Sequence, residues 1–279
     1  MIVHLVDGTY ELFRHFYGLR RFTKGEDPPY GAVLGVLRTV VHMLEEGATH
    51  IGVATDHVIE SFRNDLWRDY KTGEGIEPAL WKQFHPLEEF LVALGVATWP
   101  MVELEADDAL ASAAHLAARD KRVEKVCIWT PDKDLAQCVV GERVVQVDRK
   151  SGKIRDENGV REKFGVAPEF IPDYLALVGD SADGYPGLPG CGPKTAVSLI
   201  NKYGHIEDFP ASSIGESRQQ ALLFKDLANL RSDAPLFKKV DELQWRGPMD
   251  SFSGIAEKIG DPRLAIRARD VATHLAGSR

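Results

Sequence analysis

Nine carboxylates in this chain have the types and spacing to hold metal ions against a phosphate: Asp7, Asp56, Glu105, Asp107, Asp108, Asp132, Asp134, Asp180 and Asp183. Asp7 and Asp56 each close a short apolar run, IVHLVD and HIGVATD. ELEADD sets Glu105 and Asp108 on one face of a helix, with Asp107 beside them at its N-terminus. TPDKD places Asp132 and Asp134 on the same side of an extended chain, and GDSAD places Asp180 and Asp183 on one side of a helical turn. Gathered in a shielded site, such acids would repel strongly unless cations lay between them. All-oxygen ligands select hard ions, Mg²⁺ or Mn²⁺, and the Cys and His ligands of a zinc site are missing. The acids are too many for one magnesium, so two or more ions are expected, a pair that clamps both oxygens of an in-line phosphoryl displacement. A lone Asp at a strand end usually caps a helix or shapes a turn, and a single DxD proves little. Five separate acid positions at one edge are hard to assign to capping.

That common edge follows from the elements. Val- and Ile-rich runs at 2–7, 50–56 and 123–134 read as buried strands, with further candidates at 95–103 and 143–148. Helical patterns lie between them at 31–47, 79–95 and 106–120. Strands alternating with helices predict an α/β fold, a mostly parallel central sheet flanked by helices. Ligands of such sheets bind outside the carboxyl ends of the strands, where Asp7, Asp56, Asp132 and Asp134 fall. After about residue 168 the strand pattern stops. A helix over 168–179, a turn, and a helix from Pro193 to a stop at Gly204 follow, with more helices expected at 216–231 and 262–276. The expected division is an α/β core over 1–167 and a helical region over 168–279, whose residues 240–279 close the fold.

The chain has 279 residues, 44% hydrophobic and 27% charged, with a formal charge of −8. Negative charge usually argues against nucleic acid, yet the sum misleads when carboxylates surround cations. Between Gly184 and Ile206 there is no acid, only Lys194 and Lys202, so this stretch is locally positive. There is no signal-peptide pattern and no apolar run long enough to span a membrane, and the odd, scattered Cys127, Cys138 and Cys191 read as reduced thiols. A cytoplasmic protein with no membrane partner is expected. Cys191 lies in a glycine-rich turn, where a lone thiol is more readily tolerated than catalytic.

That turn, GLPGCGPKT (187–195), offers unobstructed backbone N–H groups at a helix N-terminus with Lys194 in the first turn, a place for phosphate. It is not a Walker loop, since the spacing differs and no strand precedes it. Helix, glycine-rich turn and helix outline a helix-hairpin-helix, which grips a nucleic-acid backbone without reading bases.

VDGTYELFR, SFR with the later YK, EADDALA, TPDKDL and GDSADGYPGLPGCGPKTA stand in this order, and together they resemble the 5′-nuclease (flap endonuclease) family. Within it the similarity is to the 5′-nuclease domain that precedes bacterial DNA polymerase I, here as a stand-alone form, and it covers roughly residues 1–240. The resemblance implies a PIN-like nuclease fold and a divalent-metal 5′-3′ exonuclease and flap endonuclease of DNA replication and repair. It assigns Asp7, Asp56, Glu105, Asp107 and Asp108 to a first metal and Asp132, Asp134, Asp180 and Asp183 to a second, with some sharing. Lys71 and Arg14 match basic residues at the scissile phosphate. Gly187, Gly190, Gly192, Lys194 and Thr195 of the turn, with Arg63 of SFR, are the candidate DNA contacts, and K⁺ is a further candidate ion at the hairpin. The implied partners are DNA with 5′ flaps or 5′ ends, RNA–DNA, and a separate polymerase and ligase; a monomer is expected. Two positions depart from the family: Gly184 stands where Asn is usual, and Glu74 where a base is frequent. Residues 57–85 should arch over the site, but their four basic and five acidic residues make a weak electrostatic guide. Trp67, Tyr70 and Trp81 there are candidates for base stacking, although aromatics at helical spacing more often belong to a core. The rivals are a PIN-like ribonuclease, a Toprim-type or phosphatase enzyme, and a catalytically silent DNA-binding protein. The first two would leave the hairpin idle, and the complete acid set argues against the third.

Overall fold

The run IVHLVD forms β1 (Ile2–Asp7), and the chain passes directly into α1 (Gly8–Thr23) and then α2 (Gly31–Glu45). β2 (His50–Asp56) precedes two short helices, α3 (Phe62–Leu66) and α4 (Pro78–Trp81), and then α5 (Phe84–Ala93). β3 (Ala97–Met101), α6 (Ala106–Arg119), β4 (Lys125–Trp129), β5 (Val144–Asp148) and β6 (Lys153–Arg155) follow. Helices α7 (Glu157–Phe164), α8 (Ile171–Val178), α9 (Pro193–Tyr203), α10 (Ala211–Ile214), α11 (Arg218–Ala228), α12 (Phe252–Lys258) and α13 (Pro262–Gly277) make up the remainder. The computed structural model describes residues 1–23 and 27–277.

The six strands form one sheet in the order β3-β2-β1-β4-β5-β6, with β1 to β5 parallel and β6 antiparallel. The chain builds outward from β1 through β2 to β3, then returns to the other side of β1 with β4. This reversal opens a crevice at the carboxyl ends of β1 and β4, the position at which open α/β sheets bind ligands.

One face of the sheet is covered by α1, α2 and α5 through Val6, Phe16, Val36, Leu37, Val40 and Leu91. The last two helices pack into the same cluster with Phe252, Leu264 and Ala268. They are pinned by Arg38–Asp261 (2.7 Å) and Arg267–Glu45 (2.7 Å). The opposite face is closed by the alanine stripe of α6 against Val3, Leu5, Val126 and Ile128. A separate cluster unites α8, α9 and α11 with Tyr70 from the β2–α5 connection. That contact ties the connection to the helical region. Among the described residues, no helix is long and apolar enough to cross a membrane.

Helices α1 and α7 lie outside the expected helical patterns, and two further details differ from the sequence reading. The helix expected over 79–95 breaks between α4 and α5. There Gln83 turns inward and accepts hydrogen bonds from Ala32 and Val33 N–H (3.1 and 3.2 Å), capping α2, whose own N-cap residue Tyr30 makes no side-chain cap. β6 was not expected: three residues reading KIR carry no strand signature. They pair with β5, where Arg155 donates to Gln146 Oε1 at 2.7 Å.

Candidate active site

Asp7 ends β1 and caps the helix that follows, accepting from Tyr10 N–H (2.8 Å) through Oδ1 and from Thr130 Oγ1 (3.0 Å) through Oδ2. Asp56 ends β2 and accepts from Ala106 N–H (2.8 Å) at the start of α6. Each is therefore both a cap and a fixed carboxylate in the crevice. Asp107 projects from the first turn of α6 into the same space. Burial, then Asp132 and Asp7, hold it well above the usual carboxylate range. Asp7 is pushed up to about 7, first by burial and then by Asp56 and Asp132.

A second group forms where the loop after β4 meets the segment after α8. Single oxygens of Asp134, Asp180 and Asp183 lie within 4.8 Å of one another. Asp134 is driven well up by burial and by Asp132, Asp183 and Asp180, and its Oδ1 is buried without a hydrogen bond. Burial also raises Asp183, to about 6, against the opposing Lys71. Asp132 raises Asp7 and Asp107 on one side and Asp134 and Asp183 on the other, so it joins the two groups.

Lysines partly balance this charge. Lys71 Nζ reaches Glu105 Oε2 (2.7 Å) and Asp183 Oδ1 (3.3 Å), bridging the groups. Burial opposes charge on Glu105, but Lys71 and Arg63 outweigh it and the carboxyl stays below its ordinary value. Lys133 Nζ reaches Asp180 Oδ2 at 2.7 Å, while Ala182 N–H donates to Oδ1 (2.9 Å). The sequence reading missed Lys133; its place inside TPDKD was the available signal.

Lys71 is held by backbone as well as charge. Its N–H donates to Asp183 O (3.0 Å), and Trp67 Nε1 donates to Gly184 O (3.1 Å). Gly184 has φ +84°, and a Cβ there would lie 2.0 Å from Asp69 O. The departure from Asn thus permits the Trp67–Lys71 segment to lie directly on the loop that carries Asp183. Trp67 and Tyr70 are packed here, Trp67 edge-on to Phe224, so neither is free for base stacking; Trp81 is exposed. The middle of the 57–85 segment lies down on the helical region.

Three site expectations are corrected. Asp108 is fully buried and accepts four hydrogen bonds, from Arg63 Nη1 and Nη2 (2.7 and 2.8 Å), Glu105 N–H (3.0 Å) and Arg231 N–H (2.8 Å). No lone pair remains for an ion, so Asp108 braces the site. Arg63 is 1% exposed, and its remaining donors go to Glu105 Oε1, Leu227 O and Asn229 O. All five guanidinium N–H groups are engaged, which removes it from any DNA surface. Gly187 is buried with φ +71°, and a Cβ there would meet Gly179 N at 2.4 Å; it docks the hairpin on the end of α8.

Gly190, Gly192, Lys194 and Thr195 are exposed, and Gly190 and Gly192 face open space. Arg14 is held by Glu11 (Nε–Oε1, 3.0 Å) and lines a groove of about 630 Å³ with Arg38, Arg149 and Arg267; no direct bond joins it to the acids.

The site fits hard cations. The donors are all oxygen, burial and then mutual repulsion raise several acids together, and Asp134 Oδ1 lacks a partner. A pH dependence follows. An acid raised in the folded state binds its proton more tightly there than when unfolded, so its contribution to stability declines as pH rises from the ordinary 3.8 towards the folded value. In EDTA the Tm is expected to fall between about pH 5 and 7, and Mn²⁺ to remove that slope. A Tm rising across this window in EDTA would contradict the repelling cluster.

Comparison with known proteins gives the family and the fold. The 5′-3′ exonuclease N-terminal resolvase-like domain matches residues 2–165, and the 5′-3′ exonuclease C-terminal SAM fold matches 166–251. A 5′-3′ exonuclease of Aquifex aeolicus is 34% identical, covering 96% of this chain and 88% of that protein. DNA polymerase I of Pseudomonas aeruginosa is 35% identical over 86% of this chain, which spans only 28% of that polymerase. Among solved structures, T5 5′-exonuclease with bound zinc superposes with a TM-score of 0.66 at 16% identity, covering 97% of this chain and 98% of that one. The catalytic core of Rad2 with DNA gives 0.59 at 15% identity, covering 98% and 92%. The two solved structures share the fold. With both domains of the family matched in order, and a stand-alone relative aligned along nearly the whole sequence, the chain belongs to the 5′-3′ exonuclease family.

Proposed function

We propose that this chain is a structure-specific nuclease that cuts single-stranded 5′ flaps and degrades 5′ ends of DNA, including RNA–DNA, with two Mg²⁺ or Mn²⁺ ions. The observation that carries the reading is the pair of acidic groups joined through Asp132, with the Lys71 ammonium between Glu105 and Asp183. Asp7, Asp56, Asp107 and Asp132 would hold one ion, with Glu105 joining through Oε2 once Lys71 turns to the phosphate, and Asp134, Asp180 and Asp183, with Asp132 shared, the other. Bound there, the ions supply Lewis-acid polarisation of the phosphate and charge neutralisation at the leaving oxygen.

The chain's own residues do the positioning. Thr130, Tyr10 N–H and Ala106 N–H fix Asp7 and Asp56 before substrate arrives. Lys71, half-buried between Glu105 and Asp183, offers its ammonium to charge on the phosphate; it acts electrostatically and does not donate a proton. Arg14, on the neighbouring groove, would take an adjacent part of the strand. The exposed N–H groups and Lys194 at the start of α9 hold a duplex phosphate, with Gly190 and Gly192 allowing close approach. K⁺ bound by hairpin carbonyls would strengthen that grip. In this reading the 1–167 part supplies most of the metal site, and 168–279 adds Asp180 and Asp183 together with the DNA grip. The protein acts in the cytoplasm as a monomer, on ends that a polymerase exposes and a ligase seals.

The test is cleavage of a labelled 5′-flap duplex with Mg²⁺ or Mn²⁺ beside a 3′-flap control. Cutting of the 5′ flap alone, abolished by EDTA, supports the reading; equal cutting of both, or none, contradicts it. Gly184→Ala probes the positioning directly. A Cβ there displaces Asp69 and with it Lys71, so kcat is expected to fall roughly 100-fold, as for an ångström-scale misplacement. Unchanged kcat would mean that this contact does not place the ammonium.

A further inference from the structure

Two buried polar atoms make no hydrogen bond, Asp134 Oδ1 in the second acidic group and the hydroxyl of Tyr185, two residues beyond Asp183. Tyr185 is only 1% exposed, and its placement is rigid. Its backbone forms a two-way bridge with Asp180, Asp180 N–H to Tyr185 O at 2.8 Å and Tyr185 N–H to Asp180 O at 3.0 Å. Its ring lies against Phe224, with centroids 5.5 Å apart, in the core of the helical region. The backbone bridge places Tyr185 beside Asp180, whose carboxylate oxygen lies within 4.8 Å of those of Asp134 and Asp183.

A buried hydroxyl without a partner is unfavourable and calls for an explanation. Here the donor and the unpaired acceptor are both buried, each beside Asp180, and do not bond to each other. One hydrated cation satisfies both: the carboxylate oxygen takes the ion, and the hydroxyl meets one of the waters that a small hard cation retains. We propose that Tyr185 is a positioning residue for the second cation, its hydroxyl holding a hydration water of the ion bound by Asp134, Asp180 and Asp183. This rests on the two-ion reading above and deepens it. An outer partner of this kind orients the ion's shell, and its loss typically weakens binding about 10- to 100-fold.

The test is Mn²⁺ titration of the full chain, followed by the loss of the free-ion EPR signal, with thermal melting in EDTA alongside. Wild type is expected to show two classes of site, one of which Asp134→Asn removes. Tyr185→Phe deletes only the hydroxyl. It should weaken that same class by roughly tenfold, leave the other class within about twofold, and leave the metal-free Tm unchanged or higher. Two unaltered classes in Tyr185→Phe would overturn the proposal while leaving the two-ion reading intact. Parallel weakening of both classes with a lowered metal-free Tm would also overturn it, because the hydroxyl would then serve packing. A wild-type chain that binds no Mn²⁺ would sink the proposal and the two-ion reading together.

Discussion

Asp132→Asn is expected to lower kcat on a 5′-flap duplex by about 10³-fold or more, while binding of the same duplex in Ca²⁺ changes less than about threefold; several kcal/mol of lost charge stabilisation sets that scale. Asp132 is the informative position because it acts on both acidic groups. It is also exposed, and its side chain accepts only from Asp134 N–H at 3.3 Å, while its backbone bonds to Gln146 and Thr130 are untouched by the substitution. The amide keeps the shape and removes the charge. Metal-free stability should therefore rise, since one of the mutually repelling carboxylates is gone. The combination of a higher Tm in EDTA and a lost rate distinguishes a metal ligand from a bracing acid. Retained cleavage in Mg²⁺ would remove Asp132 from the site, and lost binding in Ca²⁺ would move its role to the DNA.

Arg63→Met is expected to show the largest effect on stability, about 3–5 kcal/mol, because it strands Asp108 and part of Glu105 in a dry interior. Arg63 joins α3 to the first turn of α6 and to the carbonyls of Leu227 and Asn229 at the end of α11. Its loss therefore loosens the contact between the sheet and the helical region. Replacing both partners, Arg63→Met with Asp108→Leu, should recover part of the loss, since the stranded charge goes while the Glu105 and Arg231 N–H groups lose their acceptor. Urea unfolding of the three chains measures this. A single variant as stable as wild type, or a double variant no better than the single, would show that the pair is not what holds the two parts together. In the folded double variant, DNA affinity in Ca²⁺ should be near wild type, because neither side chain reaches the surface.

Much of this arrangement was legible in the amino-acid sequence, for a local reason. A strand's burial and a helix's face are written in the spacing of apolar residues, so IVHLVD, HIGVATD and the α6 alanine stripe placed their elements within a few residues. Parallel strands then carried Asp7, Asp56 and the TPDKD acids to one edge. The hairpin was legible too, because Pro193 can only open a helix and Gly204 readily ends one.

Only the tertiary structure decided what each side chain does there. Asp107 and Asp108 are neighbours of identical chemistry. Asp107 faces the crevice and is raised by other acids, whereas Asp108 is consumed by Arg63 and by the N–H of Arg231, 123 residues away. Arg63 looked like a DNA contact and is an internal cation. Lys133 drew no notice in the sequence and is paired with Asp180 in the second acidic group. Gly187 belongs to packing, while Gly190, three residues on, faces open space. A carboxylate holds an ion only if its lone pairs are not already taken, and the groups that take them come from elements distant in sequence. Periodicity positions a side chain on a face; partners brought in by the fold decide whether it is free.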